Sequence, residues 1–226
     1  MYLHEAQLAN IVTSYATCLA GIMPMIWCLL MGRQPFRWFF VYLCIFITGI
    51  PTVWWHSSEV SLAAAAFDVA SNILLAWALQ VAASGDFMQP GARRELLTVS
   101  TPVNLCAWAW LIYEVVSGKR IPLVQFGAFG RFYAGEVILI LNAWVVVILF
   151  VVYWRMVSLK ARPLMGMVIV LFFIGMLLAT ADGDQIGLRI FPWHALWHIV
   201  GAFGFVTLFL FNHVRFTEAS VAGPER

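Results

Sequence analysis

Seven runs of apolar residues, each near the ~20 needed to cross the hydrocarbon of a bilayer, leave this chain few folds to choose from. They cover residues 7–31, 36–56, 60–83, 98–117, 134–157, 163–181 and 193–214. In hydrocarbon every backbone N–H and C=O must find its partner within the segment, so runs of this kind become helices. The expectation is an all-α integral membrane protein, a single domain over residues 1–226 folded as a seven-transmembrane helix bundle. Composition agrees, because 63% hydrophobic residues against 11% charged ones do not describe a water-soluble domain.

The connections carry turn or charge signals, as in Gly32-Arg33-Gln34-Pro35, Ser57-Ser58-Glu59, the stretch from Gly85-Asp86 to Arg93-Arg94, Ser117-Gly118-Lys119-Arg120, Lys160-Ala161-Arg162-Pro163 and Asp182-Gly183-Asp184. Alternate connections differ in charge. Nine of the thirteen Lys and Arg (Arg33, Arg37, Arg93, Arg94, Arg155, Lys160, Arg162, Arg215 and Arg226) fall on one side, and Lys119, Arg120, Arg131 and Arg189 on the other. The bias toward the cytoplasmic side predicts a cytoplasmic C-terminus and an N-terminus outside or in a lumen. The first run lacks a basic leader, carrying His4 and Glu5 instead, and is read as a mature span rather than a signal peptide. A net charge of +2, spread over loops, argues against a nucleic-acid partner. Cys18, Cys28, Cys44 and Cys106 lie inside apolar runs without CxxC spacing and behave as small hydrophobes.

Polar residues within the spans can be placed by depth. His56 ends the second span, with Thr52 one helical turn deeper on the same face. Asp68 lies about eight residues into the third span from the same side, on the order of 12 Å. His194 opens the seventh span there, and His198 follows one turn on. All five converge in the non-cytoplasmic half of the bundle. An isolated HxxxH in a membrane helix more often hydrogen-bonds to carbonyls, but a third histidine and an acid at the same depth favour a metal.

Three neutral imidazoles with one open position are the arrangement expected of a catalytic zinc, which makes a water acidic and polarises a carbonyl. Asp68 then serves as general base or orients the water. The bland alternative for Asp68 is an interior carboxyl satisfied by Asn72 or left protonated. For Thr52 it is a hydroxyl back-bonded to its own helix, the commoner fate of threonine in a membrane span.

The segment Phe191-Pro192-Trp193-His194-Ala195-Leu196-Trp197-His198-Ile199-Val200-Gly201 resembles the final helix of alkaline ceramidases, whose signature reads His-Ala-x-Trp-His-Ile followed by small residues. Thr52-Val53-Trp54-Trp55-His56 looks like their Ser-x-x-x-His, and Asp68 follows at about the distance of their third-helix aspartate. These enzymes belong to a wider group of seven-helix zinc hydrolases that includes the adiponectin-receptor-like proteins. The resemblance implies zinc on His56, His194 and His198, with Asp68 and Thr52 at the site and Trp197 in the substrate's surround. It implies an amide hydrolase acting on a ceramide-like lipid that enters from the bilayer. Departures are a threonine in place of the family's serine, a His-to-Asp interval one residue longer, and no acidic N-terminal cluster, so calcium is not expected. Asp182 resembles an aspartate that the family carries before its last helix; Asp184 reads as a solvated loop carboxylate.

Glu114 and Glu136 lie near the outer ends of their helices. The interface is expected for Glu114, while Glu136 is open between interface and substrate entrance. Trp54, Trp55 and Trp193 read as an interfacial belt, and His4 and His213 as unrelated to the site. The competing class is a seven-helix receptor or a transporter with a structural zinc and no turnover. A retinal protein is excluded because Lys119 and Lys160, the chain's two lysines, both lie in loops. Two histidines on one face of one helix cannot ligate opposite faces of one haem. A bacterial inner membrane is the expected location, with an organelle membrane as the alternative.

Overall fold

A computed structural model describes residues 2–32, 34–58, 61–118, 123–125, 131–182 and 192–222. Among them are seven helices: α1 (Tyr2–Met31), α2 (Phe36–Ser57), α3 (Leu62–Phe87), α4 (Pro90–Val116), α5 (Ala134–Val152), α6 (Arg162–Asp182) and α7 (Trp193–Ala222). Six are long and apolar enough to cross a membrane, and in α5 the stretch Ile140–Val152 is apolar but shorter. The protein is therefore a helical, multi-pass membrane chain.

Six of the seven expected spans are met by helices with shifted edges, and the fifth is met by a shorter apolar one. α4 begins at Pro90 rather than near 98, so Arg93 and Arg94 sit on its first turns instead of in a loop. Proline fits the first helical position, where its missing N–H has no intrahelical partner to lose. Gly85 and Asp86, read from the sequence as a turn, belong to the last turn of α3. α5 stops at Val152 and a 3-10 turn, Trp154–Met156, follows where the fifth span was expected to continue. The connection between α4 and α5 holds a short antiparallel pair, β1 (Leu123–Gln125) with β2 (Arg131–Tyr133), in register Leu123↔Tyr133. No turn dipeptide announced it.

Helix α1 packs along α2, α2 along α3, and α7 fills the place between α1 and α6. α3 is the hub, because α4 and α5 both lean on it while α5 barely touches α6. Small residues set the distances. A Cβ at Gly21 of α1 would stand 2.7 Å from the Cα of Phe46 and 2.8 Å from the carbonyl oxygen of Tyr42, so the two backbones are in contact. α3 turns Ala64, Ala76, Ala78, Ala82 and Ala83 inward, all buried. Lipid offers helices no hydrophobic reason to associate, and such close approach supplies dispersion instead.

Polar pairs complete the bundle. Asn104 of α4 and Asn142 of α5 exchange side-chain amide hydrogen bonds of 3.3 and 2.6 Å, both buried. Trp108 donates its indole N–H to the Ala70 carbonyl of α3 at 3.0 Å. At the arginine-rich end, Asp86 of α3 accepts from Trp38 at 2.7 Å, from Arg37 of α2 and from Arg215 of α7 at 2.5 Å. Arg215 also donates to Asn212 at 2.8 Å, Asn212 donates to the Tyr42 hydroxyl at 3.1 Å, and Tyr42 donates to Gln34 at 2.8 Å. Arg37 and Arg215, assigned to one side from their spacing alone, do share one end of the bundle.

Candidate metal centre

The end opposite Asp86 brings three histidines together. His56 closes α2, and His194 and His198 lie on the first two turns of α7. Their ring centroids are separated by 4.8 Å (His56 and His194), 5.1 Å (His56 and His198) and 4.6 Å (His194 and His198). The Nε2 atoms of His56 and His194 face each other at 3.0 Å. One nitrogen from each ring falls within 4.8 Å of the other two, and this triad is a cluster that could bind a metal ion. A tetrahedral ion with Zn–N bonds of 2.0–2.1 Å needs its nitrogens ~3.3 Å apart, so ring rotations that move a nitrogen by up to about 1.5 Å close the difference.

His198 carries the clearest sign of a missing partner. It is 5% exposed, and its Nε2 is buried with no hydrogen-bond partner. Its Nδ1 lies 3.2 Å from the Thr13 hydroxyl and 3.1 Å from the Ser14 hydroxyl of α1. Each hydroxyl has one proton, and each proton already has a carbonyl: Thr13 donates to Ala9 at 2.8 Å and Ser14 to Asn10 at 2.7 Å. Both therefore offer lone pairs to the ring, which makes Nδ1 the protonated nitrogen. Nε2 is left with its lone pair, the form a metal requires, and a buried acceptor without a donor is costly.

Thr13 and Ser14 were missed in reading the sequence. A signal was present: Asn10, Thr13, Ser14 and Thr17 recur at helical spacing, a polar stripe in an apolar span. Its value becomes apparent only with α7 alongside.

Asp68 of α3 stands outside the ligand triad and joins it through α2. Its carboxyl accepts a short hydrogen bond from Thr52, whose hydroxyl also lies 2.8 Å from the Thr48 carbonyl. The helix back-bond expected of Thr52 is thus present, and the same hydroxyl is shared with the Asp68 carboxyl, a partner that the sequence did not name. The Asn72 half of the alternative reading of Asp68 needs correction, because Asn72 bonds its backbone carbonyl, at 3.0 Å, rather than its carboxyl. Ser71 does the same at 2.8 Å. The carboxyl is left to Thr52 and lies within electrostatic range of His194.

Trp197 packs beside His194 and His198, with centroids 5.2 and 5.5 Å away, and a Cβ at Gly175 of α6 would touch its ring at 3.7 Å. It walls the cluster on the α6 side. Trp54 faces outward, 44% exposed against Phe67, while Trp55 packs on the small cluster around Ala65, Val69 and Leu111. Glu114 is not at the interface as expected: it is buried, because it shares its face of α4 with Ala107 and Leu111, which pack on α3. His213 stacks on Phe209 and meets Trp27 edge-on, far along α7 from the cluster. Asp184, Lys119, Arg120 and Arg189 lie outside the described residues, as do the side chains of His4, Glu5, Arg131, Glu136 and Asp182.

Comparison of the chain with family models, with curated proteins and with solved structures returns no match.

Proposed function

We propose that this protein is an integral-membrane, zinc-dependent hydrolase that cleaves the N-acyl amide of a ceramide-like lipid. The observation that carries the reading is the orphaned Nε2 of His198, held in its metal-binding tautomer beside the rings of His56 and His194. The motif resemblance to alkaline ceramidases supplies the substrate class. In this reading the histidine end of the bundle faces outward or into a lumen, and the arginine-rich end faces the cytoplasm.

His56, His194 and His198 would hold the ion. Bound there, zinc supplies Lewis acidity, polarising a carbonyl and bringing a water's pKa toward neutrality. The chain's own residues do the rest. Asp68 takes a proton from the attacking water and passes it to the leaving nitrogen, so that the C–N bond breaks to a fatty acid and a free amine. Thr52 fixes the rotamer of that carboxyl through its hydroxyl. Trp197 gives an apolar wall to a substrate whose amide sits at headgroup depth while its acyl chain stays in hydrocarbon.

The test couples metal content to turnover. Detergent-purified protein should contain about one zinc per chain by mass spectrometry, and His194→Ala/His198→Ala should contain none. Wild type should release fatty acid from an N-acyl sphingoid lipid, and Asp68→Asn should keep zinc while losing most of that release. Absence of zinc from wild type, even after its addition, sinks the reading. Zinc without turnover on any N-acyl lipid would instead assign the chain to a receptor or transporter with a structural ion.

A further inference from the structure

Two open grooves lie along α4 and adjoin at Pro102, the first at the arginine-rich end and the second running on toward the other end of the helix. The first, of about 630 Å³, opens between the last turn of α3 (Gly85, Met88) and the first turns of α4, with Arg93 and Arg94 in its walls and Leu97 and Thr101 further in. The second, of about 420 Å³, continues past Pro102 to Cys106, Trp110 and Ile138 of α5 and is lined by apolar side chains. It persists because α4 leans on α3 and meets α5 only lightly.

The cations at the head of this groove are unspent. Asp86, which ends the neighbouring turn of α3, is engaged by Arg37 and Arg215. Neither Arg93 nor Arg94 forms an ion pair among the described residues, whose ion pairs are those of Asp86 and that of Lys160 with Glu218. Glu95, on the next position of α4, is exposed rather than in the groove. The Nε of Arg93 is buried without a hydrogen-bond partner. Its guanidinium lies over the bare backbone of Gly85, where a Cβ would come within 3.4 Å of Cζ. A guanidinium whose Nε lacks an acceptor, in a groove that a second arginine also lines, calls for an oxyanion, and its planar donors suit phosphate best.

We propose that the groove binds an anionic phospholipid, its phosphate on Arg93 and Arg94 and one acyl chain along α4 past Pro102. The dimensions agree: Arg93 to Cys106 is ~20 Å of helix, enough for a headgroup and the ~15 Å depth of one leaflet. Basic crevices between spans are sites where lipid headgroups lodge, and two arginines favour a lipid with net negative charge over a zwitterionic one. The inference does not depend on zinc or on hydrolysis.

Native mass spectrometry of delipidated protein, titrated with phosphatidylglycerol or phosphatidylcholine, tests it. Wild type should retain one phosphatidylglycerol in preference to phosphatidylcholine, and Arg93→Ala/Arg94→Ala should weaken that binding about thirtyfold. Leu97→Trp, which fills the groove with both charges intact, should weaken it as well, and inorganic phosphate at the lipid's concentration should not displace the lipid. Zinc content should stay at the wild-type level in all of them. Equal retention of the two lipids, or undiminished phosphatidylglycerol binding in the variants, overturns the proposal. Displacement by inorganic phosphate with Leu97→Trp silent would make this an anion site and overturn the lipid assignment. Should the double variant not elute as folded protein, Arg94→Gln and Leu97→Trp carry the same comparison.

Discussion

A histidine becomes a ligand through the atoms behind it, and His198 is the case in point. The hydroxyls of Thr13 and Ser14 hold its Nδ1–H and thereby present Nε2 to its neighbours. Removing both acceptors in Thr13→Val/Ser14→Ala should lower zinc affinity about 10–100-fold, as outer-shell losses do, measured by competition with a chromogenic chelator. Unchanged affinity would assign the two hydroxyls to α1 alone. Thr52 makes a parallel prediction: Thr52→Ser should retain most hydrolysis, and Thr52→Ala should lose it while zinc stays bound. The three histidines, Asp68 and Thr52 were legible one by one, because each is a polar exception in an apolar span. That Thr13 and Ser14 belong with them was not, since a polar stripe on a helix does not say which helix it meets.

Helices in a bilayer are held by how closely their backbones approach, and α1 and α2 show the limit. Gly21→Ala places a methyl against main-chain atoms of Phe46 and Tyr42 that cannot swing aside. It should cost about 1–3 kcal/mol as overpacking, read as a lower melting temperature in detergent. Gly201→Ala is the control: nothing lies within 4 Å of its Cβ. That change should leave stability equal or raise it by about 0.5–1 kcal/mol, the helix preference of alanine over glycine. The element edges teach a related point. Hydropathy marks where a helix is greasy, not where it begins, so α4 extends two turns past its apolar run through Pro90, Arg93 and Arg94, where capping and propensity govern.

Over the whole molecule, two polar clusters tie together helices far apart in sequence, the histidines at one end and Asp86 at the other. Asp86 joins α2, α3 and α7 with its side chain only 3% exposed. Asp86→Ala leaves two arginines facing each other without their counter-charge and should lower stability by about 3–5 kcal/mol, with zinc still bound in the fraction that folds. A melting curve unmoved by the substitution would show that water or lipid already shields those charges. The seven helical segments, the clustering of arginines at one end and the common depth of the histidines follow from local chemistry, since hydropathy and helical rise act within each segment. Which helix stands beside which does not follow from it. Neighbours in a bundle are chosen by glycine and alanine contacts and by buried hydrogen bonds between distant segments, and only in the folded chain do α1, α2 and α7 close around the ring of His198 and leave a groove along α4.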